Sequence, residues 1–145
     1  MASRDRRWAV IGFDTFDVGR SGLTLSKTWL DVIANNIANV NTVHPAGQQP
    51  FRASYVVAQE IVGLGQGPTG QGVRPVALVQ DGSTPAMVSS PGNPLADANG
   101  NVTEPVVDLS IEMTNMIMAS RSFQVNERTI ETARDMYQAA LQIGK

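Results

Sequence analysis

The chain has no cysteine and a single histidine, His44, among its 145 residues. That excludes disulfides, thiolate metal sites, cysteine nucleophiles and any constellation that needs two imidazoles. Long hydrophobic runs are missing too: no apolar stretch approaches the roughly 20 residues that a membrane-spanning helix requires. Neither sign of charge dominates, with 11 Lys and Arg against 13 Asp and Glu and a formal net charge of −2. A general nucleic-acid surface needs clustered basic side chains to displace counterions, and this balance argues against one. Charged residues at 17% and hydrophobic residues at 42% also exclude a highly charged disordered chain, and the length suits one domain. Carboxylate or hydroxyl chemistry remains, or none.

Proline is absent from residues 1–43 and 106–145, whereas all eight prolines and nine of the 13 glycines lie between His44 and Pro105. That middle segment holds only six of the 24 charged residues. The distribution predicts helix, β-rich insert, helix. Locally basic residues, Arg4, Arg6 and Arg7, precede a short apolar run from Trp8 to Phe13. The run is shorter than a usual signal-peptide core and no small-residue cleavage site follows, so residues 1–13 are expected to be a solvated tail.

Apolar residues at Leu23, Leu30, Ile33, Ile37 and Val40 follow three-and-four spacing, with Ser26 in the gap, and lie along one side of a first helix. Ser21 and Thr24 are candidate caps for its start. Asn39, Asn41 and Thr42, followed by His44-Pro45, mark its end, because short polar side chains compete for the backbone and a residue before proline avoids the helical region. A second stripe runs through Leu109, Met113, Met116, Ser120, Phe123, Ile130, Ala133, Tyr137 and Ala140, interrupted at Asn126 or Glu127. Asp108 is the expected N-cap of a helix over roughly 108–143. At about 1.5 Å per residue such a helix is roughly 50 Å long and overhangs the shorter one. The helical acids Glu112, Glu127, Glu131 and Asp135 are expected to face solvent.

Between the helices, Tyr55 to Ala58 and Val73 to Val79 read as strands of a hairpin, with Ala86 to Val88 a weaker third. Pro75 makes the second an edge strand or a bulge. The hairpin tip contains Gly65, Gly67 and Gly70, a literal G-x-G-x-x-G. A phosphate cradle needs a helix N-terminus directly after the glycines, whereas here Pro68 interrupts the motif and a β-like run follows. Asp97, Asn99, Asn101, Thr103 and Asp108 imitate a calcium loop. Val102 occupies the position that requires glycine and no bidentate Glu closes the loop, so Asn99-Gly100 is better explained as a tight turn. His44 has no second ligand nearby and is expected in a turn. No metal, cofactor or catalytic site is expected.

At "ANNIANVNT", residues 34–42, and "EMTNMIMASRSFQVN", residues 112–126, the chain resembles the flagellar axial proteins of rod and hook, and within them the FlgC-type proximal-rod family. The resemblance spans about residues 14–145. The first motif, carried by Asn36, Ile37, Ala38, Asn39, Asn41 and Thr42, is similar to the N-terminal signature of the wider family. The FlgC type rests on the short length, on "PFRASYVV", on "PGNPLADANGNV" before the last helix and on the closing "ALQIG". Where the family commonly has several basic residues after the aromatic at Phe51, only Arg52 stands here, followed by Ala53 and Ser54.

The resemblance implies a non-enzymatic, cofactor-free building block that polymerises helically into the drive shaft transmitting torque from the motor. It implies export through the flagellar type III apparatus without a cleaved signal peptide and residence in the periplasmic rod of the basal body. The implied partners are other proximal and distal rod subunits, copies of the chain itself, and the MS ring with its rod adaptor, with no nucleic acid and no membrane insertion. The expected fold is α+β, with long N- and C-terminal helices pairing as an antiparallel coiled coil around a small β-rich, Gly/Pro-rich insert. The expected domains are a tail at 1–13, a discontinuous helical core at 14–43 and 106–145, and an insert with a β-hairpin at 44–105. The expected subunit-contact seam is Leu23, Leu30, Ile33, Ile37, Val40, Leu109, Met113, Met116, Phe123, Ile130 and Tyr137. Asn36, Asn39, Asn41 and Thr42 are expected to cap the first helix and fix the turn into the insert. The alternative from another class is a small adaptor or secretion chaperone whose helical hairpin holds a partner's amphipathic helix.

Overall fold

The computed structural model describes residues 5–62 and 70–143, with residues 5–14 as backbone only. The elements run α1 (Asp5–Ala38), β1 (His44–Pro45), β2 (Ser54–Glu60), β3 (Val73–Gln80), β4 (Ala86–Ser89), β5 (Asn101–Glu104) and α2 (Leu109–Ile143). The proline-free ends form the helices, as a backbone able to keep every i to i−4 bond should. α1 already begins at Asp5, within the stretch read as a tail. Ser21 and Thr24 therefore lie inside the helix and cap nothing: their hydroxyls donate to Val18 O at 2.7 Å and Arg20 O at 3.0 Å. Asp108 does cap α2, its Oδ1 accepting from the Ser110 and Ile111 amides at 2.8 and 3.1 Å.

The strands form two antiparallel sheets instead of one small β unit. β2 and β3 make a two-stranded ribbon, and β1, β5 and β4 make a three-stranded sheet with β5 in the centre. Contacts divide the chain into two compact units: Met1–Thr28, Ala58–Val76 and Met118–Lys145 in the first, Trp29–Val57 and Ala77–Ile117 in the second.

In the first unit, α1 meets α2 through small and polar residues. A Cβ placed on Gly19 would lie 2.7 Å from Ile130 Cγ1, and one on Gly22 would lie 2.6 Å from Asn126 Oδ1. Ser26 Oγ donates to Ser122 Oγ at 3.1 Å. Positions three and four apart on α1 thus meet α2 in reverse order, so these segments run antiparallel. Ser26, Ala119 and Ala133 are buried there. Glycine inside a helix costs about 1 kcal/mol relative to alanine, a cost offset here by the close approach it permits. Gly72, at φ 108°, immediately precedes β3 and lies against α1, where the Val73 amide donates to Ser21 Oγ at 3.1 Å.

The expected antiparallel coiled coil is not what the structure contains. Coiled coils need apolar knobs at successive seam positions. Here the contacts fall on Gly19, Gly22, Ser26, Ser122 and Asn126, while Leu109, Met113 and Tyr137 of the predicted seam stand 44%, 56% and 52% exposed. The α1 stripe does contain the buried Ser26 and Ile33 and the α2 stripe the buried Ala133, but other innermost positions, Gly19, Glu112 and Ala119, carry residues that no hydropathy pattern marks.

In the second unit, Val32, Ile33, Ala53 and Val102 form the buried apolar core, with Thr103 beside them. β5 supplies Val102 and Thr103. β1 pairs with it antiparallel through His44↔Thr103 and Pro45↔Val102, and β4 through Met87↔Thr103 and Val88↔Val102. His44 is thus a strand residue, not a turn residue; β1 went unpredicted because it is two residues long, and β5 because Asn101–Glu104 is mostly polar and follows directly on a turn. Asn99-Gly100 does form the tight turn: Asp97 Oδ1 accepts from the Asn99 and Asn101 amides, both at 2.8 Å, and Gly100 takes φ 77°.

Candidate functional site

The most connected polar group of the second unit lies where the end of α1, the start of β2 and the first turn of α2 converge. Asn36 Nδ2 donates to Ser54 O at 2.9 Å, and Asn36 Oδ1 accepts from Ser54 N at 2.9 Å. The same Nδ2 also donates to Glu112 Oε1 at 3.3 Å. Asn36 and Glu112 are 1% and 2% exposed. Glu112 therefore does not face solvent as its neighbours in sequence suggest. Its second oxygen, Oε2, is buried with no hydrogen-bond partner. Burial pushes the Glu112 carboxyl above its ordinary range, partly opposed by the Asn36 hydrogen bond. Burial, then the charges of Asp81 and Glu112, push the Tyr55 hydroxyl up as well. This arrangement locks a strand to a helix. Among the described residues, no group of three or more His, Asp and Glu is placed to hold a metal.

The predicted seam residues separate into three sets. Ile33 belongs to the chain's own core, whereas Leu23, Leu30, Ile37, Val40, Met116, Phe123 and Ile130 are half-buried. Leu109, Met113 and Tyr137 are exposed, and Ile111, Ile117, Met118, Val125 and Met136 join them as large apolar side chains of α2 left in solvent. Of the motif residues, Asn39 and Thr42 act locally at the end of α1. Asn39 Nδ2 donates to Asn35 O at 2.9 Å and Thr42 Oγ1 to Asn39 Oδ1 at 3.3 Å, while Asn41 is exposed. Of the glycine motif, Gly70 is exposed with open space around it, and Gly65 and Gly67 lie outside the described residues.

Residues 16–44 match the family described as flagella basal body rod protein, and residues 98–143 match the C-terminal family of the flagellar basal body rod FlgEFG proteins. Over 130 residues the chain is 41% identical to the flagellar basal-body rod protein FlgC of Yersinia enterocolitica, covering 90% of this chain and 96% of that one. It is 40% identical over 130 residues to FlgC of Salmonella typhimurium, with the same coverage, and 30% identical over 147 residues to FlgC of Bacillus subtilis, covering 92% and 98%. The chain belongs to the FlgC family of flagellar basal-body rod proteins.

The two matched segments of this FlgC-family chain take in most of α1 and all of β5 and α2. They also contain Asn36 and Glu112. Sequence reasoning placed Ala133 on the apolar stripe but missed Glu112, Ala119 and Asn126 as inward positions, although the four recur every seven residues along α2. Spacing alone held that signal, since two of the four are small and two are polar.

Proposed function

We propose that this structural subunit of the flagellar basal-body rod polymerises helically with other rod proteins and with copies of itself to form the drive shaft that transmits torque. The observation that carries the reading is the exposure of Leu109, Met113 and Tyr137 together with Ile111, Ile117 and Val125 on α2. Leu109, Met113 and Ile117, spaced four apart, fall along one side of α2, and an exposed apolar stripe marks a site of association. Head-to-tail association that does not close into a ring lets each added subunit cover such a surface on the last. Half-buried Met116, Phe123 and Ile130 would then lose their remaining exposure in the polymer. The helical ends are the polymerising portion, and the insert at 44–105 is the outer portion that adapts to position along the shaft.

The reading includes a non-catalytic role, residence in the periplasmic rod, export through the flagellar type III apparatus without a cleaved signal peptide, and contact with the MS ring and its rod adaptor. Among the described residues no helix is long and apolar enough to cross a membrane. Electron microscopy of the purified chain mixed with other rod subunits tests the polymerising role. Helical polymers that shorten or vanish with Met113→Asp or Tyr137→Asp, at unchanged circular dichroism, are expected. A soluble complex that saturates at fixed stoichiometry overturns it.

A further inference from the structure

We propose that the cavity beside Glu112 receives a lysine or arginine side chain of a neighbouring rod subunit, completing a buried carboxylate on assembly. The cavity has a volume of about 270 Å³ and its lining includes Trp29, Tyr55, Asn115 and Glu112 together with the apolar Val32 and Ile33. Glu112 supplies an oxygen, Oε2, that is buried and has no partner. Its other oxygen is already engaged by Asn36. No residue lining the cavity is Lys, Arg or His, so the lining itself offers no cation.

The lining chemistry selects the occupant. A neutral apolar side chain entering the cavity would leave Oε2 stranded, and an unsatisfied buried acceptor is unfavourable. An ammonium or guanidinium group gives the Glu112 carboxylate a charge-assisted hydrogen bond, and the aromatic rings of Trp29 and Tyr55 and the side-chain amide of Asn115 in the lining suit a cation as well. The aliphatic stem of lysine or arginine suits the apolar Val32 and Ile33. The chain is a subunit whose surface is to be covered by other subunits, so the cation comes with the subunit that covers it.

This inference rests on the polymerising role proposed above, and its first test needs no polymer, so the two fail separately. n-Butylguanidinium and n-butylammonium are titrated into the full-length chain while the Trp29 indole N–H resonance is followed. Saturable shifts are expected for both cations, and Glu112→Gln is expected to weaken them at least tenfold. Trp29→Leu, which leaves the carboxylate in place, is followed by the Asn115 side-chain amide and serves if the first variant does not fold; a loss of at least threefold is expected. No shift, equal affinity for neutral n-pentanol, or unchanged affinity in the variants overturns the proposal. The second test is a side-chain-resolution reconstruction of a rod containing this chain. A lysine or arginine nitrogen of an adjoining subunit within about 4 Å of the Glu112 carboxylate is expected. An apolar side chain or only water at that place overturns it.

Discussion

Asn36 and Ser54 exchange two hydrogen bonds of 2.9 Å each, the carboxamide oxygen accepting from the Ser54 amide and the carboxamide nitrogen donating to the Ser54 carbonyl. A helix side chain thus takes the place of a neighbouring strand at the first residue of β2. A buried backbone group left without its partner costs about 1–3 kcal/mol, and Asn36→Ala strands two. The expected loss is about 3 kcal/mol, read as a lower urea midpoint at unchanged m-value. Asn36→Asp keeps the acceptor, loses the donor and sets a carboxylate beside Glu112, so its loss at neutral pH should be at least as large. A change below about 0.5 kcal/mol in either variant would show that the pair is incidental.

Glu112 makes stability depend on pH in a direction opposite to that of a salt-bridged acid. Its folded-state pKa is raised by burial, so the folded chain holds this proton more tightly than the unfolded chain. The stabilising contribution is fully present below the unfolded pKa and is lost as pH rises through the folded one. Urea midpoints of wild type and Glu112→Gln should converge in acid and separate as pH rises through that window, with the variant the more stable at the upper end. A midpoint difference independent of pH between 4 and 8 would count against a raised carboxyl.

Gly72 cannot be replaced without strain. Its φ of 108° lies in the left-handed region, and an added Cβ would press on Ser21 Oγ and lie 3.0 Å from Ser21 Cβ. Gly47, at φ 84°, meets nothing within 4 Å. Gly72→Ala should therefore cost about 2–3 kcal/mol and Gly47→Ala about 1 kcal/mol. Paired thermal melts decide the matter, since equal losses would mean that the Ser21 contact relaxes freely.

Asp108 caps the first turn of α2 with its side chain, accepting from both Ser110 N and Ile111 N, while its carbonyl accepts from Glu112 N. Asp108→Ala should cost about 1 kcal/mol and Asp108→Asn much less. Hydrogen exchange at the Ser110 and Ile111 amides should accelerate in the first variant and remain near wild type in the second. Unchanged exchange in Asp108→Ala would assign the capping to another group.

Much of this architecture is legible in the sequence where backbone chemistry decides it. Proline-free ends give the helices, Asp108 gives the cap, and Asn99-Gly100 gives the turn. The β2–β3 ribbon follows from its β-branched runs. Of the helix contacts only Ser26 was legible, from the gap it fills in the α1 stripe, because Gly19, Gly22, Ser122 and Asn126 gain their role from what lies opposite them. Glu112 was hidden for a related reason: a carboxylate next to exposed residues in a helix reads as solvated unless its partner, here Asn36 some 76 positions earlier, is known. The family resemblance at residues 34–42 and 112–126 held both partners, though not their pairing.

The separations along the chain also set an order of folding. The Asp97 turn closes over four residues, and it brings β4 and β5 together locally. Ser26 and Ser122 are 96 residues apart, so their contact comes only after a long loop has been closed. Loop-closure entropy grows with length, and distant contacts form late unless other structure has already shortened the path. The small β turn can therefore nucleate before the far ends of α1 and α2 find each other. Mutations around Asp97 should slow folding, whereas mutations at Gly19, Gly22 or Ser26 should chiefly hasten unfolding. The glycine-lined meeting of the helices should thus govern how long a folded subunit persists more than how quickly it is made, which unfolding and refolding rates of Gly22→Ala would check.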